Sequence, residues 1–177
     1  QFQKAAGAGL KAGGAGITVA NKAQSIYANY LEKSEATKLA LFMEVAERAE
    51  AQIGTDPKNA NAYYFMAYAL GRYSQGISVL NALTQGLGGR IKVALDAALK
   101  LAPKHVEAHT ALGAYHAEVV DKVGALIGKL TYGASKEVAI KHFDTALKLL
   151  PDSAIARIEY ANALVMLFGD KRMDDAA

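Results

Sequence analysis

Two nearly identical hexapeptides, ALKLAP at 98–103 and ALKLLP at 146–151, constrain this chain more than any other feature. Each closes an apolar-periodic run, ends on proline and precedes a polar dipeptide, Lys104-His105 in one place and Asp152-Ser153 in the other. The same punctuation stands earlier, at Asp56-Pro57-Lys58-Asn59. Proline lacks an N–H and clashes with the preceding turn, so a helix stops there, and all three prolines of the chain mark such stops. A sequence that repeats its own helix ends is built from comparable units. One helix pair cannot hide both of its apolar faces, so those units must stack.

Composition agrees with a packed, helical chain. Hydrophobic residues make up 52% and charged residues 21% of the 177 positions, enough for a sizeable core and too apolar for disorder. Alanine, leucine, lysine and glutamate dominate, which favours helices. There is no cysteine, which removes disulfides, thiolate metal sites and cysteine nucleophiles together. A formal charge of +3 is a small surplus, and nucleic acid is normally met by a concentrated basic stripe. No uninterrupted apolar stretch reaches the roughly 20 residues of a bilayer span, so an integral membrane domain is not expected. Gln1 without a preceding Met points to processing or trimming.

The pattern along the chain sets the expected elements. Residues 1–17 hold five glycines among Ala, Lys and Leu, which predicts a flexible start ahead of a helical domain over 18–177. A helix is plausible from Thr18, with Ile26 and Tyr30 on one face. Ser34 caps a further helix whose stripe is Leu39, Phe42, Met43, Ala46 and Ala49, ending near Gly54. Units of about 60–103 and 104–151 follow, with an incomplete one over 152–177 and degenerate helices before Pro57. Asn59, Ser135 and Ser153 are the expected caps of later helices. Inward stripes are Tyr63, Met66, Ala67 and Leu70; Ile91, Leu95 and Ala98; Val106, His109, Leu112, Gly113 and His116; Ala139, Phe143 and Ala146; and Ile158, Ala161, Leu164 and Val165. Small residues at Ala67, Gly113 and Ala161 permit close approach of a paired helix.

These positions resemble the tetratricopeptide repeat family, whose motif spaces a large residue, Leu, Gly or Ala and Tyr on a first helix, then Ala, an aromatic, Ala and Pro on a second. Here they read His109, Leu112, Gly113, His116, then Ala139, Phe143, Ala146, Pro151. The preceding unit reads Tyr63, Met66, Ala67, Leu70, then Ile91, Leu95, Ala98, Pro103. The prolines are spaced by 46 and 48 residues rather than the family's 34, and the excess, around 76–89 and 120–135, is apolar. It predicts an extension of each first helix plus a turn, with Val120, Val123, Leu126, Ile127 and Leu130 inward. That layout is similar to the exported T-component proteins of tripartite periplasmic carboxylate transporters and to the microtubule-dynamics regulator family. The resemblance implies an all-α, TPR-like right-handed α-solenoid of antiparallel helix pairs, and a periplasmic or otherwise exported location rather than a cytoplasmic one.

Catalytic chemistry finds little purchase. Gly7-Ala-Gly9-Leu-Lys-Ala-Gly13 is one residue too long for a dinucleotide loop and follows no strand; Gly128-Lys129-Leu130 fails as a P-loop. His105, His109 and His116 can share a helix face, but there is no His-Glu-x-x-His order, and His109 and His116 sit at packing positions. Glu107 and Glu118 are eleven residues apart on one helix, too far for a carboxylate pair. Lys92, Lys100, Lys104, Lys122, Lys129, Lys136, Lys141 and Lys148 are dispersed, as solvated helix faces are. No enzyme, cofactor or metal site is expected.

The resemblance places binding on the concave face lined by first helices. It carries the groove positions to Asn61, Tyr64, Tyr68 and Arg72, to Glu107, Thr110, Ala114 and Glu118, and to Ile158, Asn162 and Val165. Where relatives grip a peptide carboxylate with Lys and Asn, only Asn162 fits, so a different mode is implied. The expected function is a non-catalytic interaction or assembly scaffold for a protein or peptide, with a homo-oligomer left open. The alternative is a small-ligand-binding accessory of an exported transport system.

Overall fold

Helices end in this chain where the sequence supplies a reason, and begin where a side chain can take the first free N–H groups. The computed structural model describes residues 1–176, which divide into two compact units, 1–101 and 102–176. The first holds α1 (Phe2–Ala12), α2 (Gly16–Tyr30), α3 (Glu35–Thr55), α4 (Ala60–Gln75), α5 (Val79–Thr84) and α6 (Leu87–Leu101). The second holds α7 (Val106–Val123), α8 (Ala125–Tyr132), α9 (Lys136–Leu149), α10 (Ala154–Phe168), a 3-10 turn (Gly169–Arg172) and α11 (Met173–Ala176). The side chains of Ser34, Asn59, Ser135 and Ser153 accept from the N–H groups of Thr37, Ala62, Val138 and Ala156, as expected. Each such cap is worth about 1 kcal/mol. Two caps went unforeseen: Ser78 on α5, and His105 on α7, whose Nδ1 accepts from Ala108 N–H at 3.2 Å.

In the first unit, α1 packs on α2, α2 on α3, α3 on α4 and α4 on α6. Its core is Phe42, Val45, Leu70, Leu87 and Leu95, each contributing about 1.5–3 kcal/mol by burial. The start of the chain is helical, contrary to the flexible segment its glycines predict. A Cβ on Gly9 would stand 2.5 Å from Gly16 O and 2.8 Å from Ala20 N, so glycine is there to let α1 and α2 touch backbone to backbone. Together α1 and α2 carry Lys4, Lys11 and Lys22 and no acid, so they account for the whole surplus of +3. α2 meets α3 through a polar seam. Arg48 donates to Asn21 Oδ1 and Gln24 Oε1, and Gln24 Nε2 donates to Leu41 O and Glu44 Oε2. Partial burial pulls the Arg48 guanidinium below its usual range, and Glu44 opposes the shift.

The second unit is organised around α7, which packs on α8, α9 and α10. Phe143 of α9 is fully buried beside Ala117, Val120, Ala139, Ala163 and Leu167, and stacks on Tyr160 with 4.9 Å between ring centroids. Gly113 forms the floor of its socket, since a Cβ there would meet the ring at 2.8 Å. Lys136 closes α10 by donating to Leu167 O while its ammonium lies over the Phe168 ring.

The architecture is all-α among the described residues, but it is not the right-handed TPR-like solenoid. From α4 onward the main packing partners are not successive helices. α4 passes over α5 to reach α6, α7 passes over α8 to reach α9, and α10 packs on α7. The apolar excess between paired helices is the cause. Its apolar pattern predicts a continuation of each first helix, yet α4 stops at Gln75 and α5 is a separate short helix. After α7 the chain turns at Gly124, whose φ of 82° ends the run before α8. The inward placement of Leu126, Ile127 and Leu130 also fails, since these are 72%, 55% and 78% exposed. On α10 the buried residues are Ala156, Ala163, Leu164 and Leu167, while Ile158 and Val165 face outward.

Candidate functional site

The expected groove positions fall on three helices. On α4, Asn61, Tyr64, Tyr68 and Arg72 follow one another at three- and four-residue spacing, which puts them on one face. The Tyr64 and Tyr68 ring centroids are 6.0 Å apart, and the Arg72 guanidinium carbon lies 5.3 Å from the Tyr68 ring centre. Arg72 also donates to Gln75 Oε1 at 3.1 Å. From behind, Phe42 of α3 meets Tyr68 edge-on at 6.4 Å, and Phe65 meets Tyr64 at 5.0 Å. Tyr64, Tyr68 and Arg72 are thus half-buried and held by neighbours, an aromatic ladder with a guanidinium at one end.

The second unit treats its positions unevenly. Thr110 is buried and spends its hydroxyl on Val106 O at 3.1 Å, so it offers nothing to a partner. Glu107 is exposed and approaches His105 Nδ1 at 3.4 Å. That nitrogen already accepts from Ala108 N–H, so the neutral ring has no hydrogen there to give. Glu118 is half-buried farther along α7, and Asn162 is exposed on α10. Tyr160, on the buried side of α10, has its hydroxyl pushed above the usual range by desolvation and by Asp144. The structure therefore brings together Asn61, Tyr64, Tyr68 and Arg72 on one helix face, and removes Thr110.

His142 is the polar residue that sequence reasoning passed over. It lies 33 positions from His109 in the chain, yet the two Nδ1 atoms are 2.9 Å apart. No local spacing signals such a pair; only the packing of α9 on α7 makes it. Among the described residues no group of three or more His, Asp or Glu is arranged to hold a metal ion, and no helix is long and apolar enough to cross a membrane.

Residues 18–167 match the profile of the family described as regulator of microtubule dynamics protein 1-3. The chain belongs to that family. The match covers most of the sequence, and it overturns two resemblances drawn from the repeats, to the tetratricopeptide family at large and to the transporter T-components. The periplasmic or exported location falls with them, because the transporter resemblance was its support. No curated protein matches the chain. As a member of a regulator family, the chain is a non-catalytic protein-interaction component and not an enzyme.

Proposed function

We propose that this chain binds a protein or peptide segment through the α4 face formed by Asn61, Tyr64, Tyr68 and Arg72, and that this contact serves the control of microtubule dynamics. The observation that carries the reading is the Tyr64–Tyr68–Arg72 ladder, with 6.0 Å between rings and 5.3 Å from guanidinium to ring. Tyrosine and arginine are the side chains in which binding energy concentrates, and tyrosine presents large area at small entropy cost. Phe42 and Phe65 hold the rings from behind, so the surface is largely formed before a partner arrives. The exposed Glu107 and Asn162, with half-buried Glu118, are secondary contact positions.

The family's description makes the microtubule, or its unpolymerised subunit, the first partner to test. Co-sedimentation with polymerised tubulin, and calorimetry with the soluble dimer, would measure it. Tyr68→Ala is expected to weaken binding by roughly 30-fold, the cost of a hot-spot truncation of about 2 kcal/mol. Unchanged binding by a folded Tyr68→Ala protein would remove the α4 face from the reading.

A further inference from the structure

Three imidazoles gather between α7 and α9. His109 Nδ1 lies 2.9 Å from His142 Nδ1, and His109 Nε2 lies 3.0 Å from the carbonyl oxygen of Pro103. A carbonyl can only accept, so His109 Nε2 carries the hydrogen, and Nδ1 of the neutral ring holds a lone pair. His142 Nδ1 is therefore the donor across the helix pair. On its other flank His142 stacks on His116, with 6.0 Å between centroids and an angle of 8°. His116 is 2% exposed, and its Nδ1 accepts from Ser135 N–H at 3.4 Å.

We propose that His109 and His142 form a proton-sensitive latch between α7 and α9, closed while His109 is neutral and opened when His109 takes up a proton on Nδ1. That proton would set two N–H groups head to head 2.9 Å apart, where neither can accept, and would add positive charge beside a second imidazole. The bond ties the first turn of α7 to the middle of α9, so opening it loosens the helix pair that organises the second unit.

The charged groups of the surrounding elements leave this requirement in place. On α7, His105 is committed to the Ala108 N–H with Glu107 beside it, and Glu118 lies more than two turns from His109. On α9, Lys141 is exposed and Asp144 stands next to Tyr160. α10 brings Arg157, which donates to Pro151 O, and half-buried Glu159; α8 brings Lys129, near Glu137. A carboxylate acting on His142 would strengthen it as donor and leave the His109 lone pair as the part that must stay unprotonated. Unfolding releases His109 Nδ1 from the pair and lets it take the proton that the closed latch refuses, so the latch itself predicts a stability that falls in acid.

The test uses the full chain and His109→Asn, whose amide oxygen offers His142 an acceptor that cannot be protonated. Between about pH 7.5 and about pH 5.5, the melting temperature of the parent is expected to fall about 3 °C further than that of His109→Asn. Nitrogen-15 ring spectra near neutral pH should show the His109 hydrogen on Nε2 and the His142 hydrogen on Nδ1. Equal pH dependence of the two proteins, or a His109 hydrogen on Nδ1, overturns the latch. Added zinc that shifts both Nδ1 resonances would make the pair a metal site and overturn it too. Should His109→Asn not fold, the parent's ring spectra decide: loss of the His142 Nδ1–H signal in step with protonation of His109 supports the latch, and independent titrations sink it.

Discussion

Both compact units use glycine to bring helices close, but against different surfaces. In the first, Gly9 faces backbone, with Gly16 O and Ala20 N inside 3 Å of any added Cβ. In the second, Gly113 faces the Phe143 ring, which fills the space that the missing side chain leaves. Backbone cannot rotate aside, so the first contact depends on nothing being added. The second is a filled socket, so it depends chiefly on nothing being taken away. Small residues on a helix therefore say that something approaches, and only the partner says what.

The largest effect should come from emptying the socket. Phe143→Ala is expected to cost about 4 kcal/mol in denaturant unfolding, as a buried aromatic truncation with partial collapse does. A cost below about 1 kcal/mol would mean that the ring does not hold α9 on α7, and the comparison would lose its second half. Crowding the backbone contact ranks next. Gly9→Ala should cost about 1–3 kcal/mol, and amide exchange should show the loosening in α1 rather than in α6. Uniform loosening of the unit would show that α1 is not the part that yields. The smallest effect is a control of opposite sign. Gly71 in α4 has nothing within 4 Å of an added Cβ, so Gly71→Ala should gain about 0.5–1 kcal/mol. A loss there would mean that an unseen contact, not helix entropy, explains the glycine.

Much of the helical skeleton was legible in the sequence because its signals are local. Pro57, Pro103 and Pro151 stop helices, and Ser34, Asn59, Ser135 and Ser153 start them, through groups within four residues. Gly113 beside Leu112 was legible as a close-approach position for the same reason. The glycines of α1 were not, because their local preference is against helix and only contact with α2 reverses it. The apolar runs at 76–89 and 120–135 misled differently. Hydropathy continues through Gly76 and Gly124, but the backbone turns there, so one long helix became two. On the candidate site, the one-face spacing of Tyr64, Tyr68 and Arg72 could be read from sequence. The burial of Thr110 and the His109–His142 pair could not, because both depend on which helix α7 meets.

The lysines of α1 and α2 have one more consequence. Because Lys4, Lys11 and Lys22 supply the entire excess, residues 32–177 carry equal numbers of basic and acidic side chains. At neutral pH that stretch has no net repulsion of its own to keep copies apart in solution. Colloidal behaviour would then rest on the opening helical hairpin, and the larger share of the hydrophobic core on the helices that follow it.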